Sequence, residues 1–182
     1  MNQNNAEYHL FSGSSLLEED TKNRLAEEYE SVRKRNSKLS ISFSTRDFSP
    51  PVKLGFLQQK TREVLALFID NKIILSDLLI AFEEAAANII EHSYSAGEEP
   101  VIDFRFLFDN SMITIIIDDF GKKGGDFRIE NTGRFSSPED IGENYLKTGG
   151  GMGLFLIRRI MDKISYEVKP GEYNRFTMLK HI

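Results

Sequence analysis

Glu84 and Asn88 stand one helical turn apart in Glu84-Ala85-Ala86-Ala87-Asn88, inside an amphipathic stretch from about Ser76 to Tyr94. At about 100° per residue, Glu84, Asn88 and Glu91 fall within about 60° of one another, while Leu78, Phe82, Ala85, Ala86 and Ile89 gather on the opposite side. A carboxylate and an amide one turn apart can both reach one bound polar ligand or metal ion. A solvated helix face is the commoner use of such residues, so the pair needs support from elsewhere in the chain.

Two glycine motifs supply it. Residues 112–119 alternate so that Ile113, Ile115 and Ile117 share a face, and parity places Asp119 on that same apolar face. A carboxylate facing a core edge must find a donor or carry a desolvation penalty. Phe120 and Gly121 follow, giving Asp-Phe-Gly, which is also an ordinary way to end a strand. The second motif, Thr148-Gly149-Gly150-Gly151-Met152-Gly153, runs straight into the apolar-periodic segment Leu154–Asp162. Glycines ahead of a helix leave backbone N–H groups open to an anion, and the helix N-terminus adds roughly half a positive charge. The spacing is not a P-loop, because no Lys-Ser/Thr follows. Nor is it a Rossmann fingerprint, because a long loop leads into it. A flexible hinge is the competing reading, although a hinge gives no reason for glycines to abut a long helix.

These groups need elements to hold them. Lys38–Phe43 alternates as a strand, and Pro50-Pro51 breaks the chain before a helix from about Leu54 to Asn71. Lys72–Leu75 link that helix to the one bearing Glu84. Residues 100–108 form a strand with Ile102, Phe104, Phe106 and Phe108 on one face, and Asp109-Asn110 turns it into the strand 112–119. The last strands lie near 164–169 and 174–181, joined at Pro170-Gly171. Alternating strands of this kind suit an antiparallel sheet with helices on one face, an α+β two-layer arrangement. The stretch 121–148 is long for a compact domain and is a candidate lid. Ser137 as N-cap, Pro138 at N1 and acids behind them predict a short helix over 138 to about 146. A surface insertion without function is the alternative. Residues 1 to about 13 read as disordered, and 15–35 as a charged helix with a thin stripe of Leu17, Leu25, Tyr29 and Val32. That helix is either a docking or dimerisation element or a loosely packed extension. The chain thus divides into an extension, 1–36, and a domain, 37–182.

Composition narrows the function classes. The 182 residues include no cysteine, which removes disulfides and thiolate metal sites. A net charge of -5 argues against direct nucleic-acid binding. No run approaches the roughly 20 apolar residues of a membrane span, and Met1–Glu7 has neither a basic nor an apolar leader region, so a cytoplasmic protein is expected. His9, His92 and His181 are too scattered to suggest a metal cluster.

The order Glu-x-x-x-Asn on a helix, Asp-x-Gly after a strand and Gly-x-Gly opening a helix resembles the GHKL ATP-binding superfamily. Phe82–Tyr94, Gly150–Ile157 and Met161-Asp162 are most similar to the anti-sigma factor serine/threonine kinases of bacterial partner-switching systems, the RsbW and SpoIIAB type, over about residues 37–182. The resemblance implies a GHKL-type two-layer α/β sandwich with a mixed, mostly antiparallel sheet, and ATP with Mg²⁺ as cofactors. It gives Asp119 the adenine amino group and has Gly121 let the backbone pass close to the base. Thr177 matches a hydroxyl near adenine, or is a plain strand threonine. Asn88 would ligate the Mg²⁺ that bridges the phosphates. Gly150, Gly151, Met152, Gly153 and Leu154 form the phosphate-cradling turn, and Glu84 is the candidate base. Several relatives carry an arginine shortly before this turn, where Lys147 stands here and offers a point charge rather than a fork. The implied activity is phosphorylation of an anti-sigma antagonist-like protein, with a sigma factor as a candidate second partner and a homodimer as the assembly. A regulator that keeps the ATP site without transfer is the alternative. A histidine kinase is disfavoured, because none of the three histidines lies in a phosphoacceptor context.

Overall fold

Alternation along the central strands builds the sheet on which everything else rests. The computed structural model describes residues 5–10, 17–48, 53–121 and 152–182. In chain order these form β1 (Ala6–His9), α1 (Glu19–Lys34), β2 (Leu39–Ser44), a 3₁₀ turn (Thr45–Asp47), α2 (Leu54–Ala66) and α3 (Lys72–Ser93). Then come β3 (Ile102–Phe108), β4 (Met112–Asp119), α4 (Met152–Ile160), β5 (Lys163–Lys169) and β6 (Tyr173–His181). The strands pair in the order β1-β2-β3-β4-β6-β5. The β1–β2 pair is parallel and the other four pairs are antiparallel. This is the expected mixed, mostly antiparallel sheet.

Register decides which side chains meet the helices. Phe104 pairs with Ile117 and Phe106 with Ile115, while Ile117 and Ile115 pair in turn with Phe176 and Met178. All are buried on one face, with Leu78, Phe82, Ala85, Ala86 and Ile89 of α3 in the same core. The Phe82 ring lies 5.3 Å from Phe104 and 6.2 Å from Phe106, distances at which aromatic pairs attract. The opposite sheet face carries more polar side chains, including the forked Asp118–Arg175 pair at 2.6 and 2.8 Å.

Three boundaries differ from the sequence expectation. Helix α2 stops at Ala66 rather than near Asn71, and α3 begins at Lys72, absorbing the supposed linker. The cause is Asn71, whose side chain accepts from the Ile73 and Ile74 N–H groups at 3.0 and 3.3 Å and so caps the helix. Residues 6–9, expected within a disordered stretch, form a strand tied in by Ala6 N to Lys38 O and Leu10 N to Ser42 O. The stripe Leu17, Leu25, Tyr29 and Val32 is buried in the same core as the sheet. Tyr29 sits edge-on to Phe68 at 4.7 Å and to Phe108 at 6.0 Å. Among the described residues, no helix is long and apolar enough to cross a membrane.

Candidate functional site

Helix α3 carries polar groups at two places, and each meets a glycine. At the first, α4 begins against Glu84 and Asn88. A Cβ built on Gly153 would stand 2.5 Å from Glu84 Oε2 and 3.3 Å from Asn88 Nδ2. Only a residue without a side chain lets the first turn of α4 approach the pair so closely. The half-buried carboxylate and amide therefore sit beside a helix N-terminus, whose free N–H groups and partial positive charge favour an anion. Leu154, one residue on, is buried and anchors that turn to the core. Glu91, which the helical wheel grouped with this pair, is exposed instead.

At the second place, Asp119 ends β4 between Ile102 and Asn174. It is fully buried, as strand parity required. Its Oδ1 accepts from the Gly121 N–H at 2.9 Å and from Asn174 Nδ2 at 3.3 Å. Asn174 Nδ2 also donates to the Gly121 carbonyl at 3.2 Å. Among the described residues, Asp119 Oδ2 and the buried Ser93 Oγ have no hydrogen-bond partner. Burial pushes the Asp119 carboxyl above the usual carboxylate range; the Gly121 N–H, the Asn174 amide and the Ser93 hydroxyl pull it back, and the Asp118 charge raises it further. A buried polar atom without a partner costs about 1–3 kcal/mol, which makes the end of β4 a candidate place for a polar ligand.

Gly121 makes this junction possible by close approach. A Cβ there would overlap the Ser93 carbonyl oxygen and lie 2.7 Å from Ser93 Cβ. The chain leaving β4 is thus pressed against the end of α3. Tyr94 fixes the same junction, donating its hydroxyl to Val101 O at 2.5 Å and accepting from Phe120 N at 3.2 Å. Arg46 stacks over the Phe120 ring at 4.5 Å. Val168 pairs with Asn174, and its half-exposed side chain adds an apolar rim on that face of the sheet.

Two groups thus form from Glu84, Asn88 and Gly153, and from Asp119 and Gly121, while Thr177 joins neither. Thr177 pairs with Ile116 and Ser165, one residue out of phase with Asn174, Phe176 and Met178. Its hydroxyl therefore lies on the sheet face away from Asp119. The β6 residue that reaches Asp119 is Asn174, which sequence reasoning missed. Ser93 and Tyr94 were missed as well. The alternation of buried Phe176 and Met178 was the available signal for Asn174. Lys147, Gly150, Gly151, the lid beyond Gly121 and its helix at 138–146 lie outside the described residues, as does the Met152 side chain.

A cleft of about 680 Å³ opens between the start of α2 and the C-terminal end of α3 and is lined by Leu54, Ala87, Ile90, Tyr94 and Pro100. It does not include Asp119 or Glu84. Convergent polar groups, rather than open volume, locate the site.

Comparison with known proteins bears on the family and the fold. A family model described as "Histidine kinase-like ATPase domain" matches residues 53–180. The curated proteins similar to this chain include a serine-protein kinase RsbW of Staphylococcus aureus, 35% identical over 100 residues covering 53% of this chain and 60% of that protein. A serine-protein kinase RsbW of Listeria monocytogenes is 31% identical over 98 residues, with the same coverages. The chain therefore spans about three-fifths of the length of the curated relatives it matches. Among solved structures, the SiaB–SiaC complex from Pseudomonas aeruginosa contains a chain with a TM-score of 0.50 at 15% identity, covering 86% of this chain and 96% of that one. That likeness supports the fold.

Proposed function

The chain belongs to the histidine kinase-like ATPase domain family, and from that premise we propose that it binds ATP with Mg²⁺ and transfers the γ-phosphoryl group to a serine or threonine of a partner protein. The observation that carries this is the pairing of two polar sites along one helix. Among the described residues Asp119 Oδ2 has no hydrogen-bond partner where the end of β4 meets Ser93 of α3, and Glu84 and Asn88 meet the N-terminus of α4 further up that helix. From Glu84 to Ser93 the helix rises about 13 Å at 1.5 Å per residue, a span that a base, ribose and triphosphate can bridge.

Each residue then has a task. Asp119 Oδ2 accepts from the exocyclic amino group of adenine. The N–H groups opening α4 receive phosphate oxygens. Asn88 would supply an oxygen ligand to Mg²⁺, whose charge would offset that of the phosphates. Among the described residues no group of three or more His, Cys, Asp or Glu could hold a metal ion. Glu84 takes the proton of the attacking hydroxyl as the new O–P bond forms and the bond to the ADP oxygen breaks, a role worth about 10²–10⁴-fold. Lys147 adds positive charge at the phosphates.

The relatives named serine-protein kinase RsbW support serine as the acceptor, and the family resemblance adds a partner of the anti-sigma antagonist class in a bacterial partner-switching pathway. A sigma factor as second partner, a homodimer and a cytoplasmic location belong to the same reading. The test is transfer of labelled phosphate from ATP to serine on proteins co-purified from the native cell. Wild type should label a partner, and Glu84→Ala should bind ATP–Mg²⁺ without labelling it. ATP binding with no transfer to any bound partner would instead make the chain a nucleotide-dependent binding regulator.

A further inference from the structure

We infer that Ser42, His9 and Asp47 form a second catalytic centre on the sheet face away from α3, one that hydrolyses small carboxylic esters through an acyl group carried on Ser42. It is separate from the nucleotide site and does not rest on that reading.

The three side chains meet only through folding. In the parallel β1–β2 pair His9 stands beside Ser42, and the 3₁₀ turn after β2 brings Asp47 back to His9. His9 Nδ1 lies 2.9 Å from Ser42 Oγ, and Nε2 lies 3.0 Å from Asp47 Oδ2. An ionised carboxylate can only accept, so Nε2 carries the proton that faces Asp47. In the neutral ring Nδ1 is then the acceptor for the Ser42 hydroxyl. The competing acceptor, the Tyr8 carbonyl, is further from Ser42 Oγ at 3.4 Å. Asp47 is itself held in place, because the same Oδ2 takes the Ser44 N–H at 2.7 Å in the capping box of the turn. A hydroxyl, a base and a group that orients the base make the arrangement of nucleophilic catalysis, which is recognised by geometry rather than by chain order.

A positive charge stands where the reaction needs one. Antiparallel register sets the exposed Arg105 directly opposite Ser42, which places both side chains on one face. The neighbouring carboxylates are taken up otherwise: Asp118 by Arg175 at 2.6 and 2.8 Å, and Asp103 by Ser44 at 2.5 Å and Arg46 at 3.5 Å. Arg105 is therefore left to meet negative charge developing on a substrate. His9, Ser42, Asp47 and Arg105 all line one cleft of about 300 Å³, a size that suits a short acyl group.

In the reaction Ser42 Oγ attacks the ester carbonyl carbon as its proton passes to His9 Nδ1, and the carbonyl oxygen takes up the electron pair beside Arg105. The bond to the alcohol oxygen then breaks, and the alcohol leaves with the proton from His9. Water repeats the steps on the acyl-serine, releasing the carboxylic acid and restoring Ser42. Asp47 acts through His9 and is a positioning residue.

The experiment treats the full chain, without nucleotide, with p-nitrophenyl acetate and with a fluorophosphonate probe whose attachment is located by peptide mass mapping. Wild type should release p-nitrophenol over many turnovers, and the probe should be found on Ser42. Ser42→Ala should abolish both signals, and His9→Gln, which removes the base, should slow both by about 10²–10⁴-fold. Asp47→Asn should lower kcat with KM held within about twofold, a split that general loosening of the turn would not give. Probe on another residue of wild type, or on none, overturns the centre without any variant having to fold. Release of p-nitrophenol that survives Ser42→Ala overturns it as well. An unchanged labelling rate in His9→Gln removes His9 as the base, and an unchanged kcat in Asp47→Asn removes the positioning role.

Discussion

Substituting Gly153 by alanine should separate folding from chemistry more cleanly than removing a catalytic group. The new Cβ would stand 2.5 Å from Glu84 Oε2, where ordinary contact begins near 3.4 Å, so the carboxylate must withdraw by roughly 1 Å. The clashing atom is the far end of a flexible side chain, and rotating it off its preferred rotamer costs about 0.5–1.5 kcal/mol. Against this, alanine is favoured over glycine within a helix by up to about 1 kcal/mol. The two nearly cancel, so stability should change by no more than about 1 kcal/mol in either direction. A displacement of 1 Å at a proton acceptor costs on the order of a hundredfold in rate. Urea denaturation and phosphoryl-transfer rates at saturating ATP read the two quantities independently. A folded Gly153→Ala protein with a rate within a few-fold of wild type would refute the placement of Glu84. A loss of more than about 3 kcal/mol in stability would show that the carboxylate is fixed rather than yielding.

Gly121→Ala should behave in the opposite way, because its Cβ meets the backbone of Ser93, which cannot rotate aside; a loss of about 1–3 kcal/mol is expected by denaturation, and an unchanged midpoint would contradict the close approach. Thr177→Val, on the sheet face away from Asp119, should leave ATP affinity within about twofold by titration calorimetry; a tenfold loss would return Thr177 to the site. In the ligand-free protein burial raises the Asp119 pKa, so the native state holds that proton more tightly than the unfolded chain does. This contribution to stability is present below the unfolded value of about 3.9 and is lost as pH rises through the folded one. Asp119→Asn removes the loss, so its stability relative to wild type should grow with pH across that window; a difference independent of pH would show that Asp119 is not destabilised by burial.

The parts of the fold that alternate locally were legible. Strands β3 and β4, the buried face of α3 and the inward position of Asp119 all follow from side-chain parity or helical period, which need no tertiary information. The extent of α3 was not read because Asn71 was placed at the end of α2, although an asparagine ahead of Lys72 is a capping signal in its own right. Strand β1 was hidden because its four residues gain their structure by pairing with β2 some thirty residues away. The site divides the same way. Glu84, Asn88, Asp119 and the glycines carry their meaning in order and spacing. Ser93 and Asn174 meet Asp119 only through the packing of Gly121 on α3 and the register of β4 with β6. Thr177 was chosen for its hydroxyl, when the parity of Phe176 and Met178 already pointed it to the other face.

The most direct test of the central claim is calorimetric titration of the full chain with ATP–Mg²⁺, run in parallel on Asp119→Asn with folding verified by circular dichroism. The expected result is saturable one-site binding by wild type and affinity weakened at least tenfold in the folded variant, because the amide offers adenine a neutral and differently oriented acceptor. Absence of ATP binding in wild type, or equal affinity in the variant, would contradict the nucleotide site at Asp119.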